Sequence, residues 1–223
     1  PYRENDALGG EDPYSASKGA AEIVIASYAR SIFQRGKGGR TVVSSVRAGN
    51  VIGGGDWASD RLVPDCARAL SEGRQIEIRN PDSIRPWQFV LEPLYGYLLL
   101  GAKASTEGED YAGPWNFGPT MGSNANVAKI VKMMIKSWGG GSWKTVEEHS
   151  AVHEAGVLRL DSTKARNRLG WRSRYSLTKT IDTIVSWYKA YYSGRNDMKH
   201  FTDEQIIEYL RELVNSKEEE PVE

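Results

Sequence analysis

Hydrophobic and polar positions divide the chain into helices and short strands that alternate. Apolar residues recur at helical spacing after Pro13 and stop at the glycine-rich turn 36–39, so the pattern predicts a helix over residues 13–34. The β-branched run at residues 41–46 is typical of a strand buried on both faces. Because a helix, a tight turn and a buried strand follow one another, this part of the chain has the order expected of an α/β protein.

The remaining elements are short, and they continue to the end of the chain. Helical spacing of apolar residues predicts further helices at residues 60–72, 94–102, 126–138, 162–169 and 177–192. Short apolar runs predict extended segments at residues 76–78, 88–90 and 115–117. Thr202 and Gln205 form a capping-box pattern, which predicts that a last helix begins at Thr202. The charged tail at residues 216–223 is expected to fray.

Composition and charge are those of a globular protein without a strong electrostatic field. The 223 residues are 39% hydrophobic and 26% charged, which is enough for one large or two small domains with a buried core. The 29 basic residues balance the 29 acidic ones, so no broad basic surface would attract nucleic acid or an anionic membrane. Partners are therefore expected at local sites.

Membrane, disulfide and metal classes are also disfavoured. No apolar run is long enough to cross a bilayer, and residues 1–4 lack a basic segment followed by a hydrophobic one. We therefore expect a soluble, cytoplasmic protein that binds neither nucleic acid nor a membrane. Cys66 is the only cysteine, which excludes an internal disulfide, and the three histidines show no metal-ligand spacing, so we predict no metal site.

A tyrosine and a lysine on the first helix are the leading candidates for chemistry. Tyr14 and Lys18 are four residues apart, which places both side chains on one helix face. A nearby ammonium stabilises a phenolate relative to the neutral phenol, so the tyrosine could act as a base near neutral pH. Small residues around the pair would let a flat ligand lie against the helix. The alternative is a chance pairing, because many helices contain a tyrosine and a lysine at this spacing.

A set of motifs resembles the extended short-chain dehydrogenase/reductases that act on nucleotide sugars. PYSASK at residues 13–18 resembles the YxxxK signature of that family. The other motifs follow in the family's order: RAGNVIGGGDW at 47–57, LVP at 62–64, IRPWQFV at 84–90, WNFGP at 115–119 and LDSTK at 160–164. The resemblance runs from Tyr2 to about Tyr192. It implies an α/β fold in which part of a Rossmann-type doubly wound parallel sheet adjoins a smaller C-terminal αβ substrate-binding domain.

The resemblance also implies a division of the chain. Residues 1–57, with a return near 85–118, would be the C-terminal portion of an NAD-binding domain, and residues 58–223 would mainly bind the nucleotide sugar. A full family member has a glycine-rich turn for the NAD pyrophosphate and, upstream of the tyrosine, an acid and a base for water elimination, none of which occurs here. The chain also begins at Pro1, in a polar stretch, rather than at methionine. We therefore expect the C-terminal part of a longer enzyme.

Roles in the reaction carry over to three residues. By this resemblance Tyr14 would take the proton of the sugar 4-hydroxyl while hydride passes to NAD. Lys18 would hold the nicotinamide ribose and stabilise the tyrosine phenolate. Val51 would pack near the nicotinamide, with plain core packing as its alternative.

Substrate binding falls to four further residues. Asn50, at a strand end, would hydrogen-bond a phosphoryl oxygen, unless it is only a turn residue. Arg85 matches the pyrophosphate-binding arginine of the family, and a surface salt bridge is its alternative. Arg61 would contact phosphate or sugar, unless it only pairs with Asp60. Arg159 is a further candidate for the same ligand.

Dehydration of a nucleotide sugar to its 4-keto-6-deoxy form, with NAD as cofactor, is the activity that the resemblance implies. The sequences of residues 53–64 and 85–87 are most similar to those of dehydratases that act on CDP-glucose. Relatives that act on dTDP-glucose or UDP-sugars have an aspartate where Pro86 stands. Two alternatives stay open: another epimerase or dehydratase activity on the same scaffold, and a non-catalytic fragment that binds a nucleotide sugar or only dimerises. The resemblance also implies a homodimer, because family members commonly associate through this helix and the one before it. Ile25, Ala29 and Phe33, on the side of the helix away from Lys18, offer an apolar stripe for that contact.

Overall fold

The computed structural model describes residues 1–10, 12–33, 41–119, 124–146 and 159–218. In these ranges the helices are α1 (Pro13–Tyr28), α2 (Leu62–Ser71), α3 (Leu91–Glu107), α4 (Val127–Trp138), α5 (Thr163–Leu169), α6 (Leu177–Tyr192) and α7 (Met198–Glu218). The strands are β1 (Ser44–Ala48), β2 (Asn50–Ile52), β3 (Ile76–Ile78), β4 (Ile84–Phe89), β5 (Gly113–Phe117), β6 (Asn124–Asn126) and β7 (Trp143–Thr145). A π-helical turn, Ala29–Phe33, continues α1, and a 3-10 turn, Gly108–Tyr111, follows α3.

These strands form three small sheets. In the first sheet β1 pairs in parallel with β5, and in the third β3 pairs in parallel with β7. The second sheet has the order β2-β4-β6, in which β2 and β4 are parallel and β4 and β6 are antiparallel. Helices alternate with largely parallel strands, so the predicted α/β class is confirmed.

A break at Gly49 carries the chain from one sheet to the next. β1 ends at Ala48 and pairs with β5, whereas β2 begins at Asn50 and pairs with β4. A Cβ at position 49 would lie 2.7 Å from Cγ and 2.8 Å from the backbone oxygen of Pro86, so a side chain does not fit there. The expectation that Asn50 ends a strand is therefore wrong: it begins a second strand, because the chain changes partners at Gly49.

The prediction that the first strand is buried on both faces is also wrong. Val46 is 39% exposed, and the other residues of β1 are only half-buried. In the part of the chain that the structure describes, β1 has one partner strand, and the neighbouring helix α1 contributes a single buried residue, Gly19. A strand with one partner keeps part of its surface in contact with solvent.

Two hydrophobic clusters hold the described elements together. The larger cluster lies among α2, α4, α6 and the strands β3 and β4, and includes Cys66, Met134 and Ile184. The smaller cluster joins α3, α5 and β5 around Trp115 and Trp171. Interiors of this kind are packed as closely as organic crystals, so both clusters fix the relative positions of their elements.

Helix boundaries follow the sequence pattern in most cases. The helix predicted at residues 177–192 is confirmed, and Gly170 caps α5 with a positive φ of 65°. The prediction that the last helix begins at Thr202 is wrong, because α7 begins at Met198. Oδ1 of Asp197 accepts a hydrogen bond from the backbone N–H of His200 at 3.0 Å, so Asp197 caps the helix instead. The helix continues to Glu218, within the segment expected to fray, and residues 219–223 lie outside the described residues.

Candidate functional site

Asp12 determines where the helix bearing the Tyr/Lys pair begins. Its Oδ1 accepts a hydrogen bond from the backbone N–H of Ser15 at 2.9 Å, and its Oδ2 accepts one from Ser15 Oγ at 2.6 Å. These hydrogen bonds to Ser15 lower the pKa of the Asp12 carboxyl. Pro13 occupies the first helical position, where its missing N–H is not needed. The cap therefore places Tyr14 in the first turn of α1.

Tyr14 and Lys18 lie together on one face of α1, as their spacing predicts. Nζ of Lys18 lies 5.2 Å from the centroid of the Tyr14 ring. Tyr14 is 71% exposed, so its ring and hydroxyl are open to a ligand. The phenolate form of a tyrosine beside an ammonium group can accept a proton from a bound alcohol.

Glu22 continues the same helix face, and the sequence interpretation missed it. It follows Lys18 by four residues and Tyr14 by eight. Its Oε2 accepts a hydrogen bond from Ser45 Oγ, and its Oε1 accepts one from Arg47 Nε, each at 2.8 Å. The hydrogen bond from Arg47 holds the pKa of the Glu22 carboxyl below its ordinary value, although partial burial opposes this shift. Its spacing from the Tyr/Lys pair is the signal that could have identified Glu22.

Arg47 also connects β1 to the N-terminal segment. Its Nη1 donates to the backbone oxygen of Glu4 at 3.3 Å, and Glu4 Oε1 accepts from the backbone N–H of Asn116 at 3.0 Å. Asn116 is buried, and its Nδ2 donates to the backbone oxygens of Tyr2 at 3.0 Å and Asp161 at 3.2 Å. Three of the sequence motifs, at residues 47–57, 115–119 and 160–164, therefore meet at this segment.

Two of the residues predicted to bind ligand, Asn50 and Val51, lie at the start of β2 in the second sheet. Asn50 and Val51 of β2 are in register with Trp87 and Gln88 of β4. Val51 is 36% exposed, so it is not a core residue, whereas the next residue, Ile52, is buried. Since neighbouring residues of a strand face opposite sides, Asn50 and Val51 are directed to different faces of the sheet.

Arg85 shares a sheet face with Asn50. It precedes Trp87, the register partner of Asn50, by two residues, and residues two apart on a strand face the same side. Arg85 is 9% exposed, and its Nη1 donates to the backbone oxygen of Ile84 at 3.0 Å. The structure therefore brings together two of the four residues expected to bind the substrate.

The other two residues expected to bind the substrate, Arg61 and Arg159, lie on separate parts of the structure. Arg61 precedes α2 and is exposed, with its Nη1 3.6 Å from Oδ2 of Asp56. The alternative partner of Arg61, Asp60, accepts a hydrogen bond from Nη2 of Arg79 instead, so the surface ion pair of Arg61 is with Asp56. Arg159 is half-buried, and its Nε has no hydrogen-bond partner among the described residues.

Helix α6 anchors the loop that follows β2. A Cβ at Gly54 would lie 2.3 Å from Cγ of Trp187, so the loop backbone lies directly on that ring. The hydroxyl of Tyr188 donates to the backbone oxygen of Asp56 at 2.7 Å. The ring of Trp57 lies 4.6 Å from that of Tyr191, centroid to centroid. Aromatic packing thus fixes the segment at residues 54–57.

The described ranges contain neither a candidate membrane-spanning helix nor a candidate metal site. No helix there combines the length and the apolar character needed to cross a membrane. No group of three or more histidine, cysteine, aspartate or glutamate side chains in those ranges is arranged to hold a metal ion.

Comparison with known sequences gives one strong similarity. No family model matches the chain. The chain is 46% identical over 215 residues to CDP-glucose 4,6-dehydratase of Salmonella typhimurium. This match covers 94% of the chain and 58% of that protein, so the chain spans less than two thirds of the length of its curated relative.

Solved structures share the fold at low sequence identity. The dTDP-glucose 4,6-dehydratase of Bacillus anthracis, in complex with NAD, gives a TM-score of 0.70 at 17% identity and covers 88% of this chain and 58% of its own. DesIV, a dTDP-glucose 4,6-dehydratase of Streptomyces venezuelae with NAD and TYD bound, gives 0.71 at 19% identity, with 88% and 57% covered. The chain thus has the α/β fold of the matched parts of these dehydratases, as the sequence resemblance predicts.

Proposed function

We propose that this chain is part of an NAD-dependent nucleotide-sugar dehydratase that converts CDP-glucose to CDP-4-keto-6-deoxyglucose. The observation that carries the proposal is the 46% identity to the Salmonella enzyme over 94% of the chain. The Tyr14 and Lys18 side chains add chemical support, because they lie together and open to solvent on α1. The acid and base that eliminate water are not assigned to residues of this chain.

Tyr14 and Lys18 fit the reactive end of NAD. The pair is exposed, and the side chains beside it on α1, Ser15, Ala16 and Ser17, are small enough to admit a flat ring. NAD supplies the hydride acceptor when it is bound. The Lys18 ammonium donates to ribose hydroxyls and stabilises the phenolate of Tyr14, whose oxygen accepts the proton of the sugar 4-hydroxyl.

Asn50 and Arg85 are proposed to hold the diphosphate of the nucleotide sugar. They share one face of the second sheet, and a guanidinium presents two parallel N–H groups to phosphate oxygens. Arg61 and Arg159 are further candidates, and Val51 is proposed to contact the nicotinamide.

The domain division is proposed to follow the sheets. Residues 1–57 with a return near 85–118 contain β1 and its partner β5, and also β2 and its partner β4. α2, α4 and α6 share the larger hydrophobic cluster and would form most of the nucleotide-sugar domain over residues 58–223.

A homodimer through α1 is also proposed. Ile25 and Phe33 of the expected stripe are exposed, and Ile32 beside them is exposed as well. An exposed apolar stripe of this kind favours association with a second copy. Sedimentation should show a dimer that Ile25→Glu weakens, whereas a strict monomer at high concentration would contradict the proposal. The cytoplasmic location stays a prediction.

Turnover and substrate choice test the proposed activity. The full-length protein that contains this chain is incubated with NAD and, in separate reactions, with CDP-glucose, dTDP-glucose and UDP-glucose, and the 4-keto-6-deoxy product is followed by NMR. We expect preference for CDP-glucose, and a loss in kcat of about 10² to 10⁴-fold in Tyr14→Phe, the usual range for a lost general base. Tyr28→Phe, at the other end of α1, is the matched control. Binding of CDP-glucose without turnover would favour the non-catalytic alternative, and equal turnover of all three sugars would refute the substrate assignment.

A further inference from the structure

We propose that Glu22 and Arg47 are positioning residues for the reaction: their ion pair fixes the helix bearing Tyr14 and Lys18 against the strand that leads to Asn50. This inference rests on the proposed function and deepens it. Neither residue is among those proposed to contact the substrate or NAD. They act by holding the two elements that do.

Helix α1 has few other attachments among the described elements. Gly19 is its only buried residue, and the other residues of the helix are exposed or half-buried. At Gly19 the helix passes close to the preceding segment, where an added Cβ would lie 3.0 Å from the backbone nitrogen of Gly9. Helices in proteins take most of their stability from a packed apolar face. A helix without one depends on specific polar contacts for its orientation.

The Glu22 carboxylate makes two such contacts, one through each oxygen. Ser45 and Arg47 are two residues apart on β1 and therefore face the same side of the strand. Oε2 of Glu22 accepts from Ser45 and Oε1 accepts from Arg47, each at 2.8 Å. The Glu22 and Arg47 side chains are 17% and 21% exposed, so solvent screens this pair less than a surface salt bridge.

Arg47 is itself held from the opposite side. Its Nη1 donates to the backbone oxygen of Glu4, and the Glu4 carboxylate accepts from the backbone N–H of Asn116 on β5. Arg47 lies on β1, and its guanidinium is linked through Glu4 to Asn116, its register partner on β5. The guanidinium is therefore connected to both strands of the first sheet. Because Arg47 is fixed to the sheet, its hydrogen bond with Glu22 holds α1 in a defined position relative to the sheet.

Distance along the helix makes this contact important for the reacting group. Tyr14 lies about 12 Å from Glu22 along the helix axis, at 1.5 Å per residue, so a tilt of about 5° at Glu22 would displace Tyr14 by roughly 1 Å. A misplacement of that size can reduce a reaction rate about 100-fold. Asn50 and Arg85 lie on strands that such a tilt leaves in place, so substrate affinity should change little.

A double-mutant cycle with steady-state kinetics tests the proposal. The variants are Glu22→Gln, Arg47→Met and the double mutant, with Arg47→Lys as the variant that keeps the charge. Glu77→Gln is the matched control, because Glu77 pairs with Lys144 between β3 and β7, far along the chain from α1. We expect each single substitution to lower kcat by about 10- to 100-fold, with KM for CDP-glucose within about twofold and no further loss in the double mutant. Arg47→Lys should recover part of the rate, and Glu77→Gln should match the wild type.

Amide hydrogen exchange separates this proposal from the proposed function. If the full-length wild-type protein shows no turnover, the proposed function fails, and the exchange rates of α1 amides decide the positioning role. They should rise about tenfold in Glu22→Gln and stay unchanged in Glu77→Gln. With turnover present, effects that add in the double mutant, or a change confined to KM, overturn the proposal. Without turnover, unchanged exchange in Glu22→Gln overturns it.

Discussion

Two glycines of α3 provide a matched test of how closely this helix approaches β5. A Cβ at Gly96 would lie 2.4 Å from Cδ1 and Cε1 of Phe117 and 3.0 Å from Nε1 of Trp171. Both rings are buried, and Trp171 Nε1 donates to the backbone oxygen of Glu92 at 3.0 Å. Neither ring can move aside without losing contacts. A Cβ at Gly101, in the same helix, would meet no atom within 4 Å.

The two alanine substitutions should therefore change stability in opposite directions. At Gly101 alanine restricts the unfolded chain and favours the helix, so the free energy of unfolding should rise by about 0.5–1 kcal/mol. The same gain applies at Gly96, but overpacking a dense core costs about 1–3 kcal/mol. Because the clash involves two buried rings, we expect a cost of about 3 kcal/mol, the upper end of this range, and a net loss of about 2–2.5 kcal/mol at Gly96.

Urea unfolding followed by tryptophan fluorescence measures both changes. The midpoints of the two variants should fall on opposite sides of the wild type at unchanged m-value, which shows that stability rather than compactness has changed. In thermal unfolding, 1 kcal/mol corresponds to about 2–4 °C for a chain of this size. If Gly96→Ala proves as stable as Gly101→Ala, the close packing of α3 on Phe117 and Trp171 is refuted.

Three further predictions concern a thiol, a buried carboxyl and a loop. Cys66 is fully buried, and burial raises the pKa of its thiol to about 12. The thiol should therefore react with a disulfide reagent only after urea unfolding, and rapid labelling of the native chain would contradict this. Burial raises the pKa of the Glu92 carboxyl above its ordinary value of 4.5, so its contribution to stability is full below pH 4.5 and is lost as the pH rises through the raised value. The unfolding free energy of Glu92→Gln minus that of the wild type should therefore increase with pH above 4.5 in urea titrations, and a flat difference would show that the carboxyl does not titrate in this way. Gly54→Ala places a Cβ 2.3 Å from Trp187 and should weaken CDP-glucose binding in calorimetry, with Gly101→Ala as the control that leaves binding unchanged.

Elements whose position depends on a local pattern were predicted well. Helices α4 and α6 begin and end within one residue of the predicted bounds, because their apolar faces form the core side of an amphipathic helix. Asn126 and Ser176 cap them with side-chain oxygens, as local sequence favours. Cys66 is part of the core for the same reason, since it lies on the apolar face of α2.

Elements that depend on distant partners were predicted poorly. Thr202 has the residues of a capping box, but it lies inside α7, where its hydroxyl accepts a hydrogen bond from Trp187 Nε1 at 2.9 Å. Met198 and Phe201 pack against the larger hydrophobic cluster, which favours helix from Met198 onward. At Gly49 the change of partner strand follows from the close approach of Pro86, which is distant in sequence. Local patterns do not contain such information.

The same difference between local patterns and distant partners applies to the candidate site. Tyr14 and Lys18 could be predicted to share a face because a spacing of four residues is a local property of any helix. What that face meets is not local: the partners of Glu22 lie 23 and 25 residues away in the chain. Tyr14 can stay exposed to a ligand because the contacts that hold its helix are made two turns further along. Attachment to the sheet and access to ligand thus occupy different turns of one helix face, and a substitution at the attachment should change the rate more than the affinity.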